Sequence, residues 1–221
     1  RHEEGMRGEL SMILENHKRA PHALAFMARA LRPSPGLPEG ARFPDIVERW
    51  TGLRIDAGHV AAFHSATVSR PDKEVSVLYP HVLGFRLQMA MLTHPAFPLP
   101  IWNALQIRNS LIRHRNFGPG VGFDLETRTA AHRVVEKGME IDIRSSLSQG
   151  SERLWESTVT YFYRGRFGAP RTDARSSAAP DLARAPLVAR FHMPTTGGWQ
   201  FGGLTGDYNG IHWWPWYARR L

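Results

Sequence analysis

Residues 98–167 contain apolar side chains at alternating positions over most of their length. Successive side chains of a β-strand point to opposite faces of a sheet, so this alternation predicts strands with one buried face. Residues 136–138 and 149–151 have the composition of turns. The stretch therefore predicts an antiparallel meander. Its buried positions are expected to be Val121, Phe123, Leu125 and Thr127, then Met139, Ile141 and Ile143, and then Val159, Tyr161 and Tyr163.

The stretch Tyr79–Leu92, just before the meander, has helical spacing. Pro80 fits the first turn of a helix, where a missing N–H costs nothing. His81 is expected to be a satisfied core residue rather than a catalytic group. One face of the helix is predicted to be buried, formed by Val82, Phe85, Met89 and Leu92. Helix and meander together predict an α+β fold in which a sheet wraps one central helix.

Two further helices are expected earlier in the chain. Residues 7–32 are predicted to be helical because Leu24, Met27 and Leu31 fall at i, i+3 and i+7 and prolines follow. Asp56 has the residue type of an N-cap and predicts a helix that continues through Phe63.

Residues 168–186 have no apolar period and consist mainly of Ala, Pro, Ser and Arg. Such a composition is typical of a linker that packs poorly and is open to proteases. The sequence therefore predicts an N-terminal unit at 1–167, a linker at 168–186 and the start of a second unit at 187–221.

Charge and composition exclude several classes of protein. The formal net charge is +8, but the arginines are spread along the chain without a dense basic run, which is typical of a solvated basic surface and argues against nucleic acid as the partner. Arg108, Arg113 and Arg115 are expected to be surface charges. The absence of cysteine excludes disulfides, thiol nucleophiles and thiolate zinc sites, and suits a reducing compartment such as the cytoplasm. The sequence contains no run of about 18 apolar residues, the length that a membrane-spanning helix needs.

The chemistry of the chain is concentrated in residues 206–212. Asp207 and His212 can exchange protons near neutral pH, because their usual pKa values lie on either side of neutrality. Asn209 could orient a water or a carbonyl, and Gly206 permits a sharp turn close to a ligand. A hairpin turn at residues 209–210 is the structural alternative. A calcium loop is excluded, because no Glu follows at the required distance.

Residues 204–212, Leu-Thr-Gly-Asp-Tyr-Asn-Gly-Ile-His, resemble the hydratase signature of the MaoC-like hotdog proteins. The pattern of that family is Ser/Thr-Gly-Asp-x-Asn-Pro-Ile-His, and the departure within it here is Gly210 in place of proline. The start of the Tyr79–Leu92 stretch, Tyr-Pro-His-Val-Leu-Gly-Phe, is similar to the central helix of the double-hotdog branch.

The resemblance implies a hotdog fold and the reversible hydration of trans-2-enoyl thioesters to (R)-3-hydroxyacyl thioesters. Asp207 and His212 would be the proton-transferring pair and Asn209 the residue that places water. The substrate would be an acyl thioester of coenzyme A or of an acyl carrier protein, and neither a metal nor a redox cofactor is implied. Substrate-binding residues would be Gly206, Tyr208, Trp213 and Trp214.

The second unit is expected to be incomplete in this sequence. A hotdog sheet needs about four further strands, on the order of 40 residues, so residues 1–221 alone are expected to be inactive. An inactive hotdog that binds acyl thioesters is the alternative, and a homodimer or a pairing with another hotdog subunit is the expected assembly. A weak internal echo suggests a duplicated unit: Phe-x-x-x-Thr occurs at residues 63–67 and again at 201–205.

Overall fold

The computed structural model describes residues 12–69, 74–170 and 197–208, together with the single residues 186, 190, 192, 216 and 219. Within this part of the chain a six-stranded sheet has the order β1-β2-β4-β5-β6-β3. The strands are β1 (Ile13–His17), β2 (Ile46–Ile55), β3 (Leu105–Arg113), β4 (Gly120–Val135), β5 (Gly138–Gln149) and β6 (Glu152–Arg164). The helices are α1 (Ala23–Ala30), α2 (Ala57–Ala66), α3 (Tyr79–Leu92) and α4 (Gly197–Thr205), and a short 3-10 turn lies at Ile101–Asn103.

The predicted meander is confirmed. Strands β4, β5 and β6 pair antiparallel in sequence order, with tight turns after Val135 and after Gln149. The residues predicted to be buried are buried, apart from Val121, which is 63% exposed. Gly122 next to it has a φ of +82°, and the register with β2 shifts at this point. The alternation of the strand therefore begins only at Phe123.

The predicted central helix is α3, which packs against β2, β4 and β5. Gly84 lies on a side of α3 that faces the sheet, where an added Cβ would lie 3.9 Å from the Ser145 hydroxyl, an ordinary contact distance. Val82 and Leu92 are buried as predicted, whereas Phe85 and Met89 are only partly buried. Other sides of the helix are buried too, at Leu87, Gln88, Ala90 and Met91. The prediction of one buried face was therefore too narrow.

The prediction of a helix at residues 7–32 was wrong in extent and orientation. Residues 13–17 form β1, which pairs parallel with β2, and the helix covers only Ala23–Ala30. Phe26 is its buried residue, while Leu24, Met27 and Leu31 are exposed. A five-residue edge strand is too short to show an alternating pattern, so its residues were assigned to the helix that follows.

A polar network holds four strands together on the face of the sheet opposite α3. The buried Glu140 carboxylate accepts hydrogen bonds from Arg108 on β3, at 2.6 Å, and from Arg133 on β4, at 2.8 Å. Arg133 also donates to Asp142 at 2.7 Å, and the Thr160 hydroxyl on β6 donates to the same carboxylate at 2.7 Å. Arg108 was predicted to be a plain surface charge, but it is an ion-paired link between an edge strand and its neighbours.

The predicted N-cap at Asp56 is confirmed, since its carboxylate accepts a hydrogen bond of 3.0 Å from the His59 N–H at the start of α2. Most of the predicted linker and most of residues 187–221 lie outside the described residues, so the proposed domain boundaries stay predictions. Among the described helices, none is long and apolar enough to cross a membrane.

Candidate active site

Helix α4 contains the first part of the signature and ends in a well-defined turn. Gly206 has a φ of +82°, and its N–H donates to the Gly202 carbonyl at 2.8 Å. This bond across four residues is the left-handed C-terminal cap for which glycine is the preferred residue. The Thr205 hydroxyl donates to the Phe201 carbonyl at 2.9 Å and accepts from the Asp207 N–H at 3.0 Å. The backbone of Asp207 is thus fixed from the end of the helix.

Gly202 is needed for the same turn. A Cβ at this position would lie 2.8 Å from the Asp207 carbonyl oxygen, which is closer than real Cβ atoms approach a backbone atom. At the neighbouring Gly203, nothing lies within 4 Å of an added Cβ. Of these two adjacent glycines, Gly202 is therefore the one that lets Asp207 fold back against the helix.

The turn rests on the N-terminal unit, because α4 packs against α2 and α3. The guanidinium of Arg86 on α3 covers Gly206, with its Nε 3.4 Å from the position of an added Cβ. Burial raises the pKa of the Tyr161 hydroxyl on β6, and the charge of Asp207 raises it further. Tyr161 itself donates to Gln88 Oε1 on α3 at 3.1 Å, and Asp207 is half-buried.

The structure describes three of the residues predicted for the site. Gly206 is buried, Asp207 is half-buried, and Tyr208 is 39% exposed. The other four, Asn209, His212, Trp213 and Trp214, lie outside the described residues. The proximity of Asp207 and His212 in space therefore stays a prediction, based on their separation of five positions in the sequence.

The end of α2 in the N-terminal unit repeats the end of α4. The Thr67 hydroxyl donates to the Phe63 carbonyl at 2.8 Å, as Thr205 does to Phe201. Val68 follows with a φ of +52°, in the place that Gly206 occupies after α4. The Phe-x-x-x-Thr echo in the sequence thus corresponds to the same local structure in both units.

Where α4 leads to Asp207, α2 leads to Ser69. The Ser69 hydroxyl hydrogen bonds to His64 Nδ1 and to the Thr67 hydroxyl, both at 2.8 Å. A serine hydroxyl does not ionise near neutral pH, so this position cannot replace the carboxylate. The N-terminal unit has the turn without the acid.

The sequence patterns did not point to His59, which lies on α2, the helix that packs against α4. Its Nδ1 lies 2.8 Å from the Tyr79 hydroxyl. Burial lowers the pKa of His59, and the positive charge of Arg86 lowers it further. The Asp56 cap and the Phe63 spacing identified α2 as a helix, but neither pattern marks a contact to residues so distant in the sequence.

His81 is largely buried, as expected of a core residue, but it is not the satisfied core residue that was predicted. Burial lowers the pKa of its imidazole. Its Nε2 lies 3.4 Å from the Asn109 side-chain nitrogen, and its Nδ1 is buried without a hydrogen-bond partner among the described residues. In the same part of the chain, no three His, Asp or Glu side chains are grouped as metal ligands.

Known proteins share both sequence and fold with this chain, although no protein-family model matches it. A curated relative, 3-hydroxyacyl-thioester dehydratase X of Mycobacterium tuberculosis, is 24% identical over 181 residues, which cover 80% of this chain and 63% of the relative. A crystal structure of HtdX from Mycobacterium tuberculosis has a TM-score of 0.63 at 21% identity, covering 79% of this chain and 66% of that one. A MaoC-like dehydratase from Phytophthora capsici has a TM-score of 0.54 at 18% identity, covering 80% and 66%.

These similarities confirm the fold that the sequence predicts. The chain spans slightly less than two thirds of the length of the relatives it matches.

Proposed function

We propose that this chain, a member of the MaoC-like hotdog family, takes part in the reversible hydration of trans-2-enoyl thioesters to (R)-3-hydroxyacyl thioesters. The observation that supports this best is the position of Asp207. It follows the left-handed cap of α4 and is half-buried. A carboxylate held by a rigid turn, partly open to solvent, is suited to proton transfer with a bound substrate.

The reaction needs two proton transfers. In hydration, the oxygen of water bonds to C3 of the enoyl thioester while a base removes a proton from that water, and C2 receives a proton from an acid. Asp207 and His212 are proposed to divide these two transfers and to exchange roles in dehydration. Asn209 is proposed to orient the water, and a hydrogen-bond donor must hold the enolate-like oxygen of the thioester.

The surroundings of Asp207 fit this role. Tyr161 is a neutral hydroxyl at neutral pH, as tyrosine usually is, and burial and the Asp207 charge raise its pKa further. The cation of Arg86 lies against Gly206, next to Asp207 in the sequence. Tyr208, Trp213 and Trp214 follow directly and are proposed to border the acyl group, with Gly206 leaving room for the thioester.

The partner is proposed to be a thioester of coenzyme A or of an acyl carrier protein, and the location cytoplasmic. The N-terminal unit is proposed to be a non-catalytic hotdog, because Ser69 stands where the second unit has Asp207. Edge strand β3 exposes Leu105, Ile107 and Ile112, which supports pairing with a second hotdog, in the same chain, in a homodimer or in another subunit.

Two substitutions test the proposed chemistry in the protein expressed from its complete gene. Asp207→Asn keeps the shape of the side chain but removes the carboxylate, and His212→Ala removes its partner. Each should lower turnover of crotonyl-coenzyme A, followed by loss of the enoyl-thioester absorbance, by about 10²–10⁴-fold. The double variant should be only slightly slower than the slower single variant, because the two groups act together.

His81→Ala is the control and should leave turnover within a few-fold, since His81 is a core residue. Full activity in both Asp207→Asn and His212→Ala would show that the reaction takes place elsewhere. No activity in the unsubstituted protein, combined with retained binding of an acyl thioester, would favour the inactive binding hotdog.

A further inference from the structure

Arg86 on α3 is a partly buried cation beside the signature turn. Its Nε, Cζ and Nη2 atoms lie 3.4, 3.5 and 3.7 Å from the position of a Cβ added to Gly206. Nearly equal distances to three atoms of one planar group mean that Gly206 faces the flat side of the guanidinium. The N–H donors lie in the plane of that group, so they point past the turn and not into it.

Arg86 makes neither a hydrogen bond nor an ion pair among the described residues. The partly buried arginines on the strands all differ from it in this respect. Their carboxylate partners are Glu126 for Arg49, Glu140 for Arg108, Asp45 for Arg128, and Glu140 and Asp142 for Arg133. Arg29 is the partly buried arginine in the last turn of α1, where the helix dipole favours a cation. Arg86 lies in the middle of its helix and has neither kind of compensation.

Such a cation costs free energy in the folded chain, because it loses part of its water without gaining an acceptor. The guanidinium is nevertheless held in one place, against the glycine that ends α4. Donors that are fixed in advance and lack an acceptor are suited to an anion that arrives with a substrate. The contact with Gly206 therefore indicates that this anion binds close to Asp207.

The reacting end of the proposed substrate carries such a charge. When water adds to C3 of an enoyl thioester, or when a proton leaves C2 of a 3-hydroxyacyl thioester, the carbonyl oxygen on C1 becomes negative. Consecutive Cα atoms are about 3.8 Å apart, so the guanidinium lies one residue from the backbone of Asp207. A substrate that has C2 or C3 at the Asp207 carboxylate thus brings its C1 oxygen towards Arg86, whereas the phosphates of its carrier lie many bonds further away.

We propose that Arg86 donates a hydrogen bond to the carbonyl oxygen of the thioester and stabilises the enolate-like charge that forms there. This rests on the proposed function. In hydration, the oxygen of water bonds to C3 and the electrons of the double bond move to the C1 oxygen, which Arg86 holds. The electrons then return to C2 and form the bond to the proton that the acid supplies. Arg86 keeps its own protons throughout, and the N-terminal unit, which lacks the acid, contributes this donor.

Two substitutions and a control test the donor in the protein from the complete gene. Arg86→Gln removes the charge and shortens the side chain, while Arg86→Lys keeps the charge but loses the planar donors. For Arg86→Gln we expect kcat with crotonyl-coenzyme A to fall by about 10²–10³-fold, the usual loss for one oxyanion donor, with little change in KM. Arg86→Lys should lie between this variant and the unsubstituted protein. Arg144→Gln removes a charge from an exposed position on β5 and should leave kcat unchanged.

Crotonyl-pantetheine separates the carbonyl oxygen from the phosphates, because it has the thioester but no phosphate. If Arg86 holds the oxygen, Arg86→Gln lowers kcat by the same factor with crotonyl-pantetheine as with crotonyl-coenzyme A. A higher KM for the coenzyme A ester that disappears with the pantetheine ester would assign Arg86 to a phosphate and overturn the proposal.

The infrared stretch of the thioester carbonyl, labelled with ¹³C at C1, reports the same contact without turnover. A donor to the oxygen weakens the C=O bond and lowers its frequency. In Asp207→Asn with bound crotonyl-coenzyme A, we expect a lower frequency than in the double variant that also carries Arg86→Gln. The urea midpoint of Arg86→Gln should be unchanged or higher, because a cation without an acceptor has been removed.

An unchanged kcat and an unchanged carbonyl frequency in Arg86→Gln would overturn the proposal and leave the proposed function in place. A lower urea midpoint with those two values unchanged would make Arg86 a structural residue. If Arg86→Gln does not fold, Arg86→Lys is compared in its place by the same measurements. If the unsubstituted protein binds but does not turn over enoyl thioesters, the proposed function fails, and the carbonyl frequency still decides whether Arg86 holds the oxygen. A protein that binds no enoyl thioester would overturn both.

Discussion

Val68 and Gly206 occupy the same place at the ends of two similar helices, yet only one of them is a glycine. Both have positive φ, +52° at Val68 and +82° at Gly206. For a β-branched residue this conformation is unfavourable, because its Cβ crowds the backbone. Within the described residues, Val68 is the only residue other than glycine that has a positive φ. The turn after α2 thus has the same type of backbone conformation as the turn at Gly206, but it is strained because Val68 adopts it.

Val68→Gly should therefore stabilise the fold, which is unusual for a change to glycine. Relief of the left-handed conformation stabilises the folded chain by about 1–2 kcal/mol. The flexibility of glycine stabilises the unfolded chain by about 0.5–1 kcal/mol, which offsets part of this gain. The free energy of unfolding in urea should rise by about 0.5–1 kcal/mol. Val121→Gly is the matched control, at an exposed valine without positive φ, and it should destabilise. Equal losses in both variants would show that Val68 is not strained.

At this scale the sequence identified some site residues and missed others for a physical reason. Gly206 and Asp207 lie in a contiguous motif, where local spacing alone indicates a turn and an acid. Arg86 of α3 lies against Gly206, and α2 packs against α4, but nothing in the local sequence of α2 or α3 marks those contacts. Such residues become visible only when the fold brings the elements together.

Helix α4 is short and contains adjacent glycines whose roles differ. A Cβ on Gly202 would meet the Asp207 carbonyl at 2.8 Å, whereas one on Gly203 would meet nothing within 4 Å. Glycine in a helix costs about 1 kcal/mol relative to alanine. The turn therefore accounts for glycine at position 202, whereas alanine at position 203 would be expected to stabilise the helix.

Alanine at each position should give opposite results. Gly203→Ala should raise stability by up to about 1 kcal/mol and leave turnover unchanged. Gly202→Ala should gain none of that stability, because the Asp207 turn must move, and should lower kcat by about tenfold or more. Urea unfolding and crotonyl-coenzyme A turnover measure both effects. Identical behaviour of the two variants would mean that the turn adapts without moving the carboxylate.

Among the elements, those with one buried face were predictable. Strands β4, β5 and β6 alternate clearly because each has one buried face, which α3 covers on β4 and β5, and the meander follows from the sequence. The edge strand β1 buries neither face fully and gave no signal. On α1 the apolar residues Leu24, Met27 and Leu31 are exposed, so periodicity indicated the helix but not the face that packs.

At the scale of the whole molecule, buried histidines couple the fold to pH. Burial lowers the pKa of His81, and burial together with the Arg86 charge lowers the pKa of His59. Both are neutral in the folded chain, while in the unfolded chain they take up protons below about pH 6.5. The contribution of the two neutral histidines to folding stability is therefore complete above about pH 6.5. It is lost as the pH falls towards the lowered pKa values that they have in the folded chain.

Asp142 acts in a second, more acidic range. Burial by itself would raise its pKa, but hydrogen bonds from Arg133 and Thr160 and the charges of Arg133 and Arg108 outweigh it and lower the pKa below 3.8. This stabilisation is present above the usual aspartate range and is lost as the pH falls through the lowered folded value. Loss of stability between pH 7.5 and about pH 5.5 should thus come from histidine and not from Asp142.

We expect the urea concentration at the unfolding midpoint of the unsubstituted protein to decrease as the pH is lowered from 7.5 to about 5.5. In this range the unfolded chain binds protons that the folded chain does not bind. His81→Asn removes one titrating group while keeping a polar side chain near Asn109, so its midpoint should change less over the same range, even if the variant is less stable throughout. Because the comparison is between the slopes of midpoint against pH, a uniform loss of packing in His81→Asn does not obscure it.

An unchanged slope in His81→Asn would mean that the folded protein can protonate His81 at no cost. The Nδ1 that is buried in this structure would then have to reach water or a hydrogen-bond acceptor.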